Sequence, residues 1–317
     1  MNKAAGKAGF RLSSIPNNVM ILLGLAVLCA VMSLASPFFL TPDNLINAVL
    51  QAAINATLAC GMTFVILTGG IDLSVGSIVA FAGVILGMLL KAGVPAPAAL
   101  LGCVAVGALC GAFNGLLVTR VGLPPFIATL GSMSIARGLA LYLTDGRSIS
   151  GFGTGLSVIG SGTLLGVPWM IVIMVVTFGI GMFLLRFTRA GRYIYAIGGN
   201  VEATRLSGIN TGRYTALVYI VCGITAGIAS VLLTARLDSA QPVAGQGYEL
   251  NAIAATVIGG TSLDGGEGRL SGTIIGALII SVLNNGLNLL NVSSYIQQIV
   301  IGLVIILAVA GDKLRSK

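Results

Sequence analysis

Residues 19–67 read VMILLGLAVLCAVMSLASPFFLTPDNLINAVLQAAINATLACGMTFVIL, and Asp43 is the sole charged side chain among them. A bilayer core takes about 20 apolar residues per helix. The stretch therefore holds two spans, Val19–Phe39 and Leu45–Leu67, parted where Ser-Pro and Thr-Pro interrupt the run.

Outward from there the same texture continues. Of 317 residues 8% are charged, 56% are hydrophobic and 45 are glycine, whereas a soluble chain is about 25% charged. Too little polar surface remains to cover a water-facing fold. The glycines follow no Gly-X-Y period and sit among Leu, Ile, Val and Ala, which excludes a collagen-like chain and marks them as helix-packing residues. Further apolar runs at Leu73–Leu90, Ala96–Val118, Phe126–Leu143, Leu164–Leu185, Tyr214–Ala235, Leu250–Ile258, Leu270–Leu290 and Tyr295–Ala310 predict an all-α polytopic membrane protein. It has about ten transmembrane helices, some broken or short, the eighth being too short to cross alone.

With the N-terminus inside, 13 of the 17 basic residues fall in inner segments and only Lys91, Arg147 and Arg236 in outer ones. The predicted layout is a cytoplasmic segment 1–18, a single transmembrane domain 19–311 and a cytoplasmic tail 312–317. Within the domain, loops 144–163 and 236–249 lie outside and an arginine-rich loop 186–213 lies inside. The run after Lys3, Lys7 and Arg11 has no A-x-A cleavage site, so the first helix is read as retained. No gap is long enough for a soluble domain.

The chain has no histidine, which removes Ser-His and Cys-His nucleophiles, His zinc sites and His proton relays. Cys29, Cys60, Cys103, Cys110 and Cys222 lie in apolar runs without a CxxC, as free buried thiols do. No metal site, no cofactor and no catalytic residue is expected. There is no GxxxxGK[ST], so the chain carries no ATP site of its own, and GFGTG at Gly151–Gly155 misses the dinucleotide fingerprint. The net charge of +8 comes without a basic patch interleaved with aromatics; membrane orientation explains it, and nucleic acid is not an expected partner.

Polar groups within the apolar runs are few and patterned. Asn44, Asn47, Gln51 and Asn55 share one helical face, and Asn284, Asn288 and Asn291 share another. Such faces either line a water-filled path or lock helices by hydrogen bonds. Amides donate and accept, so they suit a neutral polyol better than an ion. LTGGIDLSVGSI around Asp72 and VIGGTSLDGGEGRLSG around Asp264 read as helices that break and restart. Asp72 or Ser74 is expected to cap the restart, with a solute contact as the alternative for Asp72. Arg137 is expected to snorkel outward or pair with an acid. Gly107/Gly111/Gly115, Gly223/Gly227, Gly83/Gly87 and Gly272/Gly276 repeat the GxxxG spacing, read as packing within the chain ahead of contact between copies. In the inner loop, Asn200 to Ile209 (NVEATRLSGI) reads as a capped amphipathic helix that Gly208 stops, with Glu202 and Arg205 one turn apart and Leu206 and Ile209 exposed.

Three long motifs then carry a resemblance: TRAGRYIYAIGGNVEATRLSGIN at 188–210, GMTFVILTGGIDLSVGS at 61–77 and ARLDSAQPVAGQGYELNAIAATVIGGTSLDGGEGRLSGT at 235–273, continued by LNNGLNLLNVSSYIQQ. The chain resembles the ribose-type sugar permeases of bacterial ABC importers along nearly its whole length. The resemblance implies a multi-pass inner-membrane permease with a fold like the vitamin B12-type importers, most often paired with a second, identical subunit. It implies a cytoplasmic ATP-binding subunit, a periplasmic sugar-binding protein and a sugar substrate, ribose foremost. Asn200, Glu202, Ala203, Thr204, Arg205, Leu206, Ser207, Gly208 and Ile209 then map onto the ATPase-coupling segment, although Thr204 replaces an alanine of the usual Glu-Ala-Ala start. The resemblance assigns no solute contacts. Asn47, Gln51, Asn55, Asp72, Asn284 and Asn288 are candidates from their pattern alone. Another sugar or a furanose-like signal molecule is the alternative solute, and an ion-coupled secondary transporter is the alternative class.

Overall fold

The computed structural model describes residues 17–315. The expected N-terminal segment, with Lys3, Lys7 and Arg11, lies outside the described residues but for its last two positions, and so does Lys317. The chain forms α1 (Asn17–Ala35), α2 (Pro42–Leu67), α3 (Val75–Lys91), α4 (Ala96–Leu116) with a π-helical turn Leu117–Val121, and α5 (Pro125–Thr144). Then come β1 (Ile149–Ser150), α6 (Thr154–Ser161), β2 (Thr163–Leu164), β3 (Val167–Pro168), α7 (Trp169–Phe187), α8 (Arg189–Gly199) and α9 (Val201–Leu206). The last are α10 (Thr211–Leu237), β4 (Ser239–Ala240), α11 (Tyr248–Ile258), α12 (Leu270–Leu289) and α13 (Ser294–Arg315). Among them, 6 helices are long and apolar enough to cross a membrane, and α1, α3, α11 and α13 are shorter apolar helices. This is the all-helical membrane architecture expected from the apolar runs.

Proline starts α2, α4 and α5, where the missing N–H has no helical partner to lose. The centre is α2: every residue from Ala52 to Leu67 is buried, enclosed by α7, α10, α11 and α12. Close backbone approach tightens the packing. A Cβ on Gly107 would overlap the Gly223 carbonyl oxygen, and one on Gly111 the Tyr219 carbonyl oxygen, so the glycine steps of α4 and α10 face each other within the chain. Gly272 and Gly276 meet Gly259 and Ala255 in the same way, joining α12 to α11. The five cysteines are free, with Cys60, Cys103 and Cys222 buried.

Contacts sort the loops into two ends. At one end, Gly266 N–H donates to Leu67 O at 2.9 Å, Gly198 lies against both, and Asp264 pairs with Lys313 at 2.7 Å. At the other, β1 pairs antiparallel with β4 (Ile149 opposite Ala240), and Lys91 Nζ donates to Gly151 O at 2.8 Å. The first end gathers the segments predicted inside, the second those predicted outside.

Several boundaries differ from the sequence reading. The first helix stops at Ala35, because Ser36–Leu40 folds into a turn around Pro37. The sixth span begins at Trp169 instead of Leu164: β2 and β3 form a hairpin with Leu165 and Gly166 at φ 51° and 82°. Loop 144–163 is structured, since α6 buries Leu156 and sets Gly160 against Ala235 of α10. Loop 186–213 holds two helices where one was expected. α13 runs on to Arg315, so the expected tail from 312 begins as helix.

Two non-helical stretches, 68–74 and 241–247, enter the packed interior. Asp72 and Ser74 in the first and Pro242 and Gly245 in the second are buried, and Gly245 and Gly76 meet backbone to backbone. α11, of 11 residues, is about 16 Å long and reaches the first end only because 241–247 has already descended beside α3.

Candidate functional site

The first of these two ends, expected to lie inside, presents α8 and α9. Thr188 Oγ1 accepts from Gly191 N–H at 3.2 Å and caps α8; Asn200 Oδ1 accepts from Ala203 N–H at 2.8 Å and caps α9. Arg205 donates to both carboxylate oxygens of Glu202, at 3.1 Å through Nε and through Nη2 at 2.6 Å. The guanidinium holds the Glu202 carboxyl below the ordinary carboxylate range, yet both side chains are exposed and the pair adds little to stability. Thr204 turns inward and its hydroxyl donates to Asn200 O at 2.8 Å. Ser207 Oγ donates to Ala203 O, Gly208 at φ 80° ends the helix, and Ile209, expected to be exposed, is half-buried because the chain turns back into α10 there. Val201 and Leu206 are exposed, Leu206 by 78%. The result is a short, rigidly capped helix with a charged pair flanked by apolar tips.

This unit is fastened to the transmembrane core. Gly198, near the end of α8, has no room for a side chain against Leu67 O and Gly266, and Tyr195 OH donates to Gly268 O at 2.9 Å.

The amide faces divide. Asn44 and Asn285 exchange side-chain hydrogen bonds at 3.1 and 2.8 Å, locking α2 to α12. Asn288 accepts from Gln297 at 2.8 Å. Asn291 is not on the α12 face at all: it follows the helix with φ 54°. Asn47 is exposed, Gln51 half-buried, and Asn55 and Asn284 buried (4% and 7% accessible). None of these four makes a side-chain hydrogen bond among the described residues.

Asp72 does not cap α3. Its Oδ1 accepts from Ser74 N–H at 2.9 Å and Ser74 OH at 2.6 Å, while Asn114 of α4 donates to Ser74 Oγ at 2.8 Å and lies 3.4 Å from both carboxylate oxygens. Ser74 has helical dihedrals and gives no side-chain cap. The carboxylate instead folds the α2–α3 break, with no accessible surface. Arg137 neither snorkels nor forms an ion pair: Nη1 donates to Pro242 O at 2.7 Å and Ala244 O at 2.8 Å, holding the descending stretch 241–247 to α5. The sequence signal for that role was a lone arginine in one span and a Pro- and Gly-rich stretch with unpaired carbonyls in another.

Two other features are unsuited to a polar solute or a metal. A cavity of about 290 Å³ between α3, α4 and α5 is lined by Ile78, Phe81, Leu109, Phe113 and other nearly all-apolar side chains. Among the described residues no three His, Cys, Asp or Glu side chains converge on a point. The polar chemistry on offer is hydrogen bonding by neutral amides and hydroxyls.

A bundle of apolar helices with broken spans, neutral amides at depth and a capped, exposed helix at the basic end is the frame of a transport permease. Residues 44–309 match the family described as branched-chain amino acid transport system / permease component, and the chain belongs to that family. It is 50% identical over 297 residues to the ribose import permease protein of Bacillus subtilis (strain 168), an alignment covering 93% of this chain and 92% of that protein. The ribose import permease protein of Escherichia coli (strain K12) is 50% identical over 299 residues, covering 93% of each. The D-allose transport system permease protein of the same strain is 43% identical over 295 residues, covering 92% and 90%. The chain is thus a multi-pass permease component of an ABC importer, not itself catalytic, and such a component works with an ATPase and a solute-binding protein.

Proposed function

We propose that this chain is the membrane-spanning subunit through which ribose, delivered by a sugar-binding protein, enters a bacterial cell at the expense of ATP hydrolysed on a separate chain. The observation that carries the reading is the match to ribose import permeases over 93% of the sequence. The absence of charge on the amide faces of α2 and α12 fits a neutral polyol.

The ATPase docks at the inner end on α9, with Glu202 and Arg205 at the contact, Val201 and Leu206 entering a groove of the partner, and Asn200, Ala203, Thr204, Ser207, Gly208 and Ile209 holding the helix in place. That end is cytoplasmic, and so are both termini, because the basic residues of loops 186–213 and 259–269 collect there. The binding protein docks at the outer end, over 144–168 and 236–249. The transmembrane domain, 19–311, works in the inner membrane beside a second copy of the same chain. Asn47, Gln51, Asn55 and Asn284, which lack partners, serve the solute, with Asn288 at the rim; Asp72 serves the break in the helix. ATP and the loaded binding protein favour different arrangements of the helices, so that the route opens to one side at a time. The likeness to a D-allose permease favours a second reading, in which the solute is another monosaccharide.

Radiolabelled ribose uptake into proteoliposomes tests the proposal. Uptake that needs the ATPase, the binding protein and ATP supports it. ATP hydrolysis without ribose movement moves the assignment to another sugar, and uptake by the chain alone refutes it in favour of ion-coupled transport.

A further inference from the structure

Two segments lie side by side on α3. Gly245 and Gly76 meet backbone to backbone, α5 packs on α3, and Arg137 of α5 donates to Pro242 O at 2.7 Å and Ala244 O at 2.8 Å. Their distances from the first end put this junction at mid-depth. α11 starts at Tyr248 and takes about 16 Å to reach loop 259–269. Arg137 stands about 18 Å from the start of α5, and Thr119, just before that start, lies by Gly212 of loop 186–213. A hydrocarbon core is about 30 Å thick.

At that depth one surface stays open. Val243, Gln246 and Leu250 are exposed, and Gln246 makes no side-chain hydrogen bond among the described residues. Glu249 is half-buried beside them: Oε1 accepts from Gly247 N–H at 3.2 Å, and Oε2 lies against Gly76. On α5, Ser134 and Gly138 are exposed on either side of Arg137, and a Cβ on Gly138 would meet nothing within 4 Å. Lipid cannot cover such a face. Irregular backbone at membrane depth is tolerated only where protein buries it or where it lines water, and an acid and an amide facing hydrocarbon are costly. A second copy on a two-fold axis returns the same residues from the other side. A carboxylate only accepts hydrogen bonds, so two copies of Glu249 offer each other no donor, whereas the hydroxyls of a polyol between them do.

Resting on the permease reading above, we infer that Gln246 and Glu249 are the solute-contacting residues of the wall that this chain turns toward its second copy. The carboxylate accepts from two neighbouring hydroxyls of the sugar, and the amide beside it donates and accepts. Neither residue belongs to the amide faces of α2 and α12. Water holds the same positions between passages.

The test uses the full assembly of permease, ATPase and sugar-binding protein in proteoliposomes. Q246A, at an exposed position, and E249Q are each expected to lower ribose moved per ATP hydrolysed by about tenfold. Unchanged transport in either, or transport and ATPase falling together, overturns the contact. Q246C supplies a readout independent of rate. A charged, hydrophilic thiol reagent should label it above the wild-type background and above I180C, Ile180 being exposed on the apolar α7, and labelling should slow when sugar-loaded replaces empty binding protein. Labelling no faster than at I180C gives the face to lipid, and labelling indifferent to sugar gives it to water alone; either overturns the inference. A wild-type assembly that moves no sugar fails the permease proposal instead, and so separates the two.

Discussion

Gly223→Ala tests the packing of α4 against α10 most directly. A Cβ on Gly223 would overlap the carbonyl oxygen of Gly107 and stand 2.9 Å from both Cα and N of Gly111. All three obstacles are backbone, so no side-chain rotation relieves them and the helices must part. Overpacking of this kind costs about 1–3 kcal/mol, against which alanine recovers up to about 1 kcal/mol of helix propensity. At about 2–4 °C per kcal/mol for a chain of this size class, the apparent midpoint should fall by a few degrees. A thiol-reactive fluorophore reads the opening, because Cys103 is fully buried at this interface, its Sγ lying 3.6 Å from Gly227 O. Gly131→Ala in α5 is the control, since its added Cβ meets nothing within 4 Å. A Gly223→Ala midpoint equal to or above that of the control would refute the argument.

Replacing Glu202 and Arg205 together by alanine should abolish most ATPase stimulation while membrane insertion and thermal midpoint stay unchanged; normal stimulation would remove the pair from the docking contact. Because Arg205 depresses the Glu202 carboxyl, the pair's contribution is full above the ordinary carboxylate pKa and is lost only as pH falls through the lowered value. Pull-down of the ATPase should therefore be flat between about pH 6 and 8. Asp72→Ala deprives Ser74 N–H, Ser74 OH and the Asn114 amide of their acceptor, each loss worth about 1–3 kcal/mol. Asp72→Asn keeps an acceptor oxygen and should lose much less midpoint in the fluorophore assay, so equal damage by the two would assign Asp72 a role that needs its charge.

What could be read from the sequence was whatever depends on the chain's own period. Apolar runs of 18 to 23 residues announce helices because a lipid-facing helix leaves no alternative for its backbone polar groups, and Asn200, Glu202, Arg205 and Gly208 announce a capped helix because caps are local. The short range also explains the errors. Pro168 and the Leu165–Gly166 turn shortened an apolar run that hydropathy alone extended. What remained illegible is long-range. Four amides on one face of α2 look equivalent, yet Asn44 is spent on Asn285, 241 residues away, and Asn55 is not spent at all. Arg137 looked like a charge in search of water or an acid; its partners are two carbonyls more than 100 residues on, in a stretch whose need for donors shows only once it is seen to descend into the bundle.

The junction at the inner end joins these parts. Three interruptions that look unrelated in the sequence, at Gly69, Gly198–Gly199 and Gly265–Gly266, meet backbone to backbone. Glycine is required there twice over. Gly69, Gly265 and Gly266 have φ of 75°, 89° and 74°, a region that disfavours other residues, and a Cβ on Gly198 would collide with Leu67 O and Gly266 N. With no side chain between them, nothing soft separates α8 from the end of α2 or from the α11–α12 loop. A compliant contact would absorb a displacement of α8–α9, whereas packed backbones held by Gly266 N–H to Leu67 O and Tyr195 OH to Gly268 O transmit it. The elements that receive it are α2, α11 and α12. α5 packs on α3 and is tied to the stretches on either side through Thr129, which donates to Ile71 O, and Arg137, which donates to Pro242 O and Ala244 O. The capped helix α9 and the interior helices α2, α11 and α12 are thus parts of one stiff unit, and the glycines that break the helices are what make it stiff.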